Sequence, residues 1–335
     1  MLVLTRSPFR VSFFGGGTDL PGFYRRHRGA VLGAAIDRYC HLSVSDLPSC
    51  FDYRIRVAYS RLELVKSVEE IAHPVVRACL ELKGVTGGVE INHFADLPAR
   101  TGLGTSSSFT TGLLLALAAR RGDRPGSVRL AEEAIQVERE LIAEPGGHQD
   151  QWFAAHGGLR RFDFRPDGTV TVLTPALGDG VETGLRDSLR LYFTGIVRDS
   201  ATVIEAQARR AAANEESLRR MLDHVDQGEA LLRAPWDPDA FGRRLDEAWQ
   251  IKRSLSGEVS LPAVDAAYEA ARRAGATGGK LLGAGGGGFL LLCVPPERQD
   301  AVRAALGALY EVPFGISERG ARVIHEEGEG MRDQG

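Results

Sequence analysis

The chain has 335 residues, 43% hydrophobic and 25% charged, with 41 Lys and Arg against 44 Asp and Glu for a net charge of −3. That length exceeds what one core usually supports, so two globular domains are expected. The near-neutral balance argues against a general binder of nucleic acid or of anionic membranes.

In chain order, alternating or short apolar blocks at 10–14, 30–36, 41–44, 55–59 and 88–93 predict strands of one sheet. Apolar residues three or four apart then predict helices over 68–83, 108–121 and 127–143, and strands return at 158–164 and 169–173. The Gly/Asp-rich stretch 178–184 marks the expected domain boundary, giving units 1–184 and 185–335. Beyond it the pattern predicts a strand at 189–194, helices over 200–233, 239–255 and 262–274, a strand at 289–294, a helix over 298–310 and a last strand at 320–324. A Glu/Gly-rich tail after His325 reads as disordered. Strands and helices without regular βαβ alternation imply an α+β fold in both halves.

Cys40, Cys50, Cys79 and Cys293 form no C-x-x-C pair, and the eight histidines show no metal-ligand spacing, so reduced cysteines and no zinc site are expected. The opening MLVLTRSPFR lacks the charge, apolar core and cleavage site of a signal peptide, and no apolar run approaches the roughly eighteen residues of a membrane span. The expectation is a soluble cytoplasmic protein with no membrane partner.

Residues 97–108 read LPARTGLGTSSS and run into an apolar stretch that opens a helix. Gly102, Leu103 and Gly104 form a turn whose glycines let backbone approach a ligand, and the first helical turn offers unpaired N–H groups beside the hydroxyls of Thr105, Ser106, Ser107 and Ser108. Two more glycine clusters, FFGGGTD at 13–19 and KLLGAGGGGF at 280–289, suggest with it a polyphosphate ligand. No Lys precedes the hydroxyls as a P-loop requires, and no G-x-G-x-x-G opens a βαβ unit near the start.

Glu138 falls within the helical stripe of Leu130, Ala134, Val137 and Leu141, where a carboxylate needs a cation; an ion pair, with Arg139 for instance, and a metal ligand are both open readings. EPGGHQDQW then ends that helix and presents His148, Gln149 and Asp150 on a tight turn, Asp150 being either a cap or a pocket carboxylate. Arg10 lies nine residues before Asp19 across the first glycine turn: a surface cation, or one for a transferring phosphate with Asp19 accepting from sugar hydroxyls. No G-x-S-x-G elbow supports a hydrolase triad.

The segments SPFRVSFFGGGTDLPGFY at 7–24, LPARTGLGTSSSFTTGLLLAL at 97–117 and GGKLLGAGGGGFLLL at 278–292, in this order, resemble the three signature motifs of the GHMP small-molecule kinases, the group of galactokinase, homoserine kinase and mevalonate kinase. GGGTDLP, YFTGIVRDSA, GGHQDQWFAAHGGL and AWQIKRSLSG resemble its heptose 7-phosphate kinase branch. The resemblance implies a two-domain α+β fold, an N-terminal ribosomal S5 domain 2-like unit and a C-terminal ferredoxin-like unit, with the ligand cleft between them. It implies ATP and Mg²⁺ as cofactors, a small-molecule sugar phosphate as partner, and transfer to the anomeric hydroxyl of a heptose 7-phosphate or a related octose 8-phosphate. The expected partner is a small molecule and not nucleic acid, and the expected state a monomer or homodimer.

By the same resemblance Asp150 is the catalytic base and Arg10 the cation at the transferring phosphate. The backbone of Gly102 to Ser107 holds the triphosphate, and Ser106 and Glu138 bind Mg²⁺. Gly16, Gly17, Thr18, Asp19, His148, Gln149, Gly285, Gly286 and Gly287 contact substrate, and Lys252 with Arg253, or Arg198, meets the distal phosphate. A kinase for a free sugar such as galactose or fucose, and a non-catalytic sugar and ATP sensor, are the competing readings.

Overall fold

The computed structural model of the chain describes residues 1–197, 203 and 214–327. Arg198, the start of the helix expected over 200–233, and the tail from 328 lie outside the described residues.

The first sheet is built on two long antiparallel strands, β1 (Leu2–Phe14) and β2 (Gly29–Asp46), joined through the first glycine turn and a single helical turn, α1 (Pro21–Tyr24). The two expected strands at 30–36 and 41–44 are one continuous strand, and a register shift at Pro8/Phe9 bends the pair without breaking it. Next come β3 (Ile55–Ala58), β4 (Leu62–Val65), a short 3₁₀ turn at Val68–Glu70, α2 (Pro74–Leu82) and β5 (Val89–Ala95). Pro74 is the reason the helix expected over 68–83 begins late: it disfavours helix in the residue before it and sits at the first helical position.

Helix α3 (Thr105–Ala119) follows the central glycine turn and is buried along nearly its whole length against β1 and β2; its first two turns carry hydroxyls and the rest is apolar on all sides, as a core helix is. α4 (Ser127–Ile135) continues into a wide π turn, Gln136–Leu141, and α5 (Gln149–His156) leads into β6 (Leu159–Phe164) and β7 (Val170–Leu173). The sheet runs β12-β1-β2-β5-β3-β4, where β12 is the final strand Arg322–Glu326, with β6 on the free half of β2 and β7 beyond it.

The second sheet contains β8 (Leu189–Phe193), β9 (Gly278–Leu281), β10 (Phe289–Cys293) and β11 (Tyr310–Val312), all antiparallel. Their order β11-β8-β10-β9 is that of a ferredoxin-like split βαβ unit. Its helices are α7 (Glu215–Arg233), α8 (Pro238–Ser254), α9 (Pro262–Arg273) and α10 (Gln299–Ala305). A cut after 184 passes through helix α6 (Val181–Ser188), and the final strand β12 (Arg322–Glu326) pairs with β1. The chain therefore leaves the first sheet, builds the second and returns. No helix among the described residues is long and apolar enough to cross a membrane.

Candidate active site

The three glycine turns meet. A Cβ on Gly102 would lie 2.7 Å from the Leu282 carbonyl oxygen, and φ there is +80°, so central and C-terminal turns pack backbone on backbone only because both are glycine-rich. The N-terminal turn is drawn in from the other side: the Arg10 backbone N–H donates to the Leu103 carbonyl at 3.0 Å. A cleft of about 1110 Å³ results, lined by Arg10, Ser12, Asp19, Gly102, Gly104, Ser106, Ser107, Glu138 and Asp150 among others.

Helix α3 opens onto this cleft with Gly104 as its N-cap, at φ 72°, and no side chain caps its first N–H groups. Unsatisfied donors at a positive dipole end make an anion site, the property expected of the GLGTSSS turn. Gly102, Gly104, Thr105, Ser106 and Ser107 line the cleft. Leu103 is fully buried, and Ser108 donates to the carbonyls of Pro8 (2.7 Å) and Gly104 (3.1 Å), so these two shape the turn and do not face the cleft.

Asp150 sits in the first turn of α5, not on the tight turn expected from EPGGHQDQW. Helical periodicity is invisible there because Gln151 to Ala155 are all buried, which leaves no polar face to alternate with an apolar one. Arg10 Nε and Nη2 both reach Asp150 Oδ1 at 2.8 Å, and Arg10 Nη1 donates to the Gly102 carbonyl at 2.5 Å. Because the fork lands on one oxygen, Asp150 Oδ2 is left without a hydrogen bond among the described residues.

Asp19 is buried beside this pair, accepting from the Gly17 N–H (2.9 Å), the Gln149 N–H (3.1 Å) and Gln149 Nε2 (3.2 Å). Burial raises its pKa, those backbone donors lower it, and the nearby Asp150 charge raises it further. A Cβ on Gly147 would overlap the Asp19 carboxylate, so the GGHQD segment needs that glycine to close over the first turn. Ser12 Oγ and Gln149 Oε1 are buried near Asp19 without partners, open hydrogen-bonding positions for a polyhydroxylated ligand.

Glu138 lies in the π turn after α4 and is 1% exposed. Ser107 Oγ (2.8 Å) and Gln151 Nε2 (2.5 Å) donate to its Oε2, Thr110 Oγ1 (2.6 Å) donates to its Oε1, and Arg139 Nη2 stands 3.5 Å from Oε2. Burial raises its pKa; Arg139, Thr110 and Ser107 pull the other way. The wide turn shifts the helical register, so Leu141, expected on the buried stripe, is instead exposed. Arg139 also grips the carbonyls of Glu144 (3.1 Å) and Gly147 (3.0 Å), tying Glu138 to the turn before Asp150.

Of the three serines, the one that meets Glu138 is Ser107; Ser106, the expected metal ligand, is exposed at the cleft mouth one position earlier. Among the described residues no three His, Cys, Asp or Glu side chains group as a protein-only metal cage would require. Magnesium delivered with a polyphosphate needs only one or two protein oxygens, and the Glu138 carboxylate with the adjoining serine hydroxyls suits it.

Other expected substrate residues divide. Gly16, Gly17, Gln149, Gly285, Gly287 and Lys252 line the cleft. Thr18 is buried, its hydroxyl bonded to the carbonyls of Gly15 and Ala30, both at 2.8 Å, and it holds the turn together. The Gly286 N–H donates to the Val259 carbonyl at 2.9 Å. His148 stands behind the cleft wall against Tyr24, its Nδ1 3.3 Å from the tyrosine hydroxyl, and burial lowers its pKa to about 4, helped by Arg139 and Arg25. Arg253 turns outward to Asp265 at 3.0 Å, and so is not beside Lys252 in the cleft.

Sequence reasoning missed two features. Lys280, the lone cation between glycines and leucines of β9, lines the cleft; a charge inside an otherwise apolar strand was the available signal. At the far end of the cleft, Tyr59, His73, His93 and Phe109 form an aromatic wall, with ring centroids 4.8 to 5.1 Å apart between neighbours. Burial lowers the pKa of His93 to about 4, aided by His73 and His41, so the wall is neutral and apolar at neutral pH.

The model of the GHMP kinases N-terminal domain matches residues 64–158 and that of the C-terminal domain residues 229–312. A D-glycero-alpha-D-manno-heptose 7-phosphate kinase of Campylobacter jejuni is 28% identical, over 93% of this chain and 96% of its own length. A galactokinase of Thermococcus kodakarensis is 25% identical over 92% of this chain and 94% of its own. The crystal structure of a D-glycero-D-manno-heptose 1-phosphate kinase from Bacteroides thetaiotaomicron superposes with a TM-score of 0.78 at 25% identity, covering 98% of this chain and 100% of that one. Both halves match one family, and the chain belongs to the GHMP kinases.

Proposed function

We propose that this kinase transfers the γ-phosphoryl group of ATP to the anomeric C1 hydroxyl of a heptose 7-phosphate, D-glycero-D-manno-heptose 7-phosphate giving the 1,7-bisphosphate, with octose 8-phosphates as related acceptors. The observation that carries it is the meeting of the Arg10–Asp150 pair, the buried Asp19 carboxylate and the uncapped start of α3 in one cleft. The heptose kinase relative and structural neighbour support the acceptor class.

ATP binds with its base against the wall of Tyr59, His73, His93 and Phe109 and its phosphates over the N–H groups of Thr105 to Ser107. Magnesium, held by Glu138 and the adjoining serine hydroxyls, supplies charge neutralisation to the phosphate oxygens. Asp19 and Gln149 accept from sugar hydroxyls and orient C1 toward the nucleotide. Asp150 takes the hydroxyl proton on Oδ2 while Arg10, fixed on Oδ1 and Gly102, holds the carboxylate still and faces the moving phosphoryl group. An anomeric hydroxyl is more acidic than an ordinary alcohol and the transition state is loose, so a modest base suffices.

The galactokinase relative favours a second reading, a free-sugar kinase. ADP release measured with Mg·ATP on a panel of heptose phosphates, octose phosphates and free hexoses decides between them. The proposal expects kcat/KM at least tenfold higher on phosphorylated seven- or eight-carbon sugars. Preference for galactose or fucose would replace it with the second reading, and nucleotide binding without ADP release on any acceptor would mark a sensor.

A further inference from the structure

Two buried lysines in the cleft lack the partners their charge demands. Lys252, on α8, is 6% exposed; its Nζ donates to the carbonyl of Leu281 at 3.2 Å and to that of Gly283. Lys280, on β9, is 3% exposed and donates only to the Phe13 carbonyl, at 2.9 Å. An ammonium carries three donors, so one on Lys252 and two on Lys280 remain without an acceptor, and neither lysine has a carboxylate within ion-pair reach among the described residues. Buried cations left in that condition destabilise the fold unless a ligand completes them.

The location says which ligand. Gly283, which accepts from Lys252, packs against Gly102, which accepts from Arg10, which holds Asp150. The two ammonium groups therefore stand on the C-terminal side of the point where Arg10 and Asp150 stand on the N-terminal side. Burial lowers the pKa of both lysines, Lys252 to about 7 with help from Arg10 and against Asp19, and Lys280 with help from Lys252 and Arg10, so an anion seated among them is what holds both in the ammonium form. This is the reacting end of the cleft, so a distal sugar phosphate, at the opposite end of a seven-carbon chain, is not the anion that completes them.

We propose that Lys252 and Lys280 join Arg10 in a three-cation seat for the equatorial oxygens of the phosphoryl group in transfer. The bond from γ-phosphorus to the β,γ-bridging oxygen breaks with its electron pair left on ADP, the bond to the sugar oxygen forms, and the hydroxyl proton goes to Asp150. The lysines exchange no proton in this step; their N–H groups meet charge as it spreads over the three oxygens. Because Lys280 reaches from β9 to the end of β1, the seat is complete only when both sheets are in register.

This inference rests on the phosphoryl-transfer reading but not on the choice of sugar, and it is tested with a probe of the moving group. ADP affinity of the full chain with magnesium is measured by calorimetry with and without aluminium fluoride, in the wild type, Lys252→Gln and Lys280→Met. Glutamine at 252 retains donors for the two carbonyls and loses only the charge, and affinity for ADP alone, expected to change by less than threefold, reports the fold. In the wild type, fluoride tightens ADP binding at least tenfold. In each variant most of that tightening disappears, and turnover falls by about 10²-fold, the usual effect of removing one such donor. Wild-type tightening in either variant, or none in the wild type, overturns the proposal. Tightening without turnover on any sugar phosphate leaves the cation seat standing and removes the acceptor assignment instead.

Discussion

Glu138→Gln separates a residue that serves catalysis from one that serves the fold. The carboxylate is buried, and burial raises its pKa above the ordinary 4.5, so the native state binds its proton more tightly than the unfolded chain does. Stability contributed by the protonated form is present below 4.5 and lost as pH rises through the raised native value, so at pH 7 the ionised group works against the fold. The amide removes that cost and fits: with its nitrogen at the Oε2 position, the Ser107 hydroxyl rotates to accept one N–H, Gln151, whose Oε1 is buried without a partner, flips to accept the other, and Thr110 goes on donating to the remaining oxygen. The melting temperature at pH 7 is therefore expected to stay within about 2 °C of wild type or to rise, since about 1 kcal/mol moves a chain of this size by roughly 2 °C. Glu138→Ala, by contrast, strands the donors of Ser107, Thr110 and Gln151 and is expected to cost about 3 kcal/mol or more. Turnover titrated with magnesium should show a requirement raised about tenfold or more in Glu138→Gln. Thermal melts and the titration together check this. A Glu138→Gln protein melting 5 °C or more below wild type with an unchanged magnesium curve refutes the reasoning.

Asp150→Asn should lower kcat by about 10²-fold or more while ATP affinity by calorimetry stays within threefold; wild-type turnover removes Asp150 from the role of base. Gly102→Ala places a methyl against the Leu282 carbonyl at a left-handed φ, and is expected to cost about 1–3 kcal/mol and to weaken ATP binding, read by melts with and without nucleotide. His93 stays neutral in the native state down to about pH 4 and charges near 6.5 when unfolded, so native stability should fall as pH drops from 6.5 to 4, by up to about 1.4 kcal/mol per pH unit for this group. His93→Phe, stacking edge-on with Phe109, should flatten that slope in denaturant titrations, and an unaltered slope would falsify the assignment.

Much of the site was legible because its chemistry is local in sequence. Glycine turns with positive φ and close backbone approach leave residues nothing else can replace, and all three turns meet as their composition suggested. Phase and register were harder to read. Three consecutive serines do not say which faces Glu138, since hydroxyls at 105–108, 110 and 111 surround the first two turns of α3 and mark no single polar face; Gly104 as N-cap starts the helix so that Ser107 and Thr110 turn to Glu138. The π turn at Gln136–Leu141 has no compositional mark, so Leu141 reads as core and is exposed. Lys252 and Arg253 look equivalent on a helix surface, yet one neighbour lies under Gly283 and the other faces Asp265. The return of β12 to β1 is a long-range pairing that no local pattern encodes.

The measurement that bears most directly on the whole account is phosphorus NMR of the product formed from Mg·ATP and D-glycero-D-manno-heptose 7-phosphate. The account predicts a new resonance coupled to the anomeric proton while the original phosphate stays on C7. A phosphate appearing on any other carbon, or ATP left intact beside a heptose phosphate while free galactose is consumed, contradicts it.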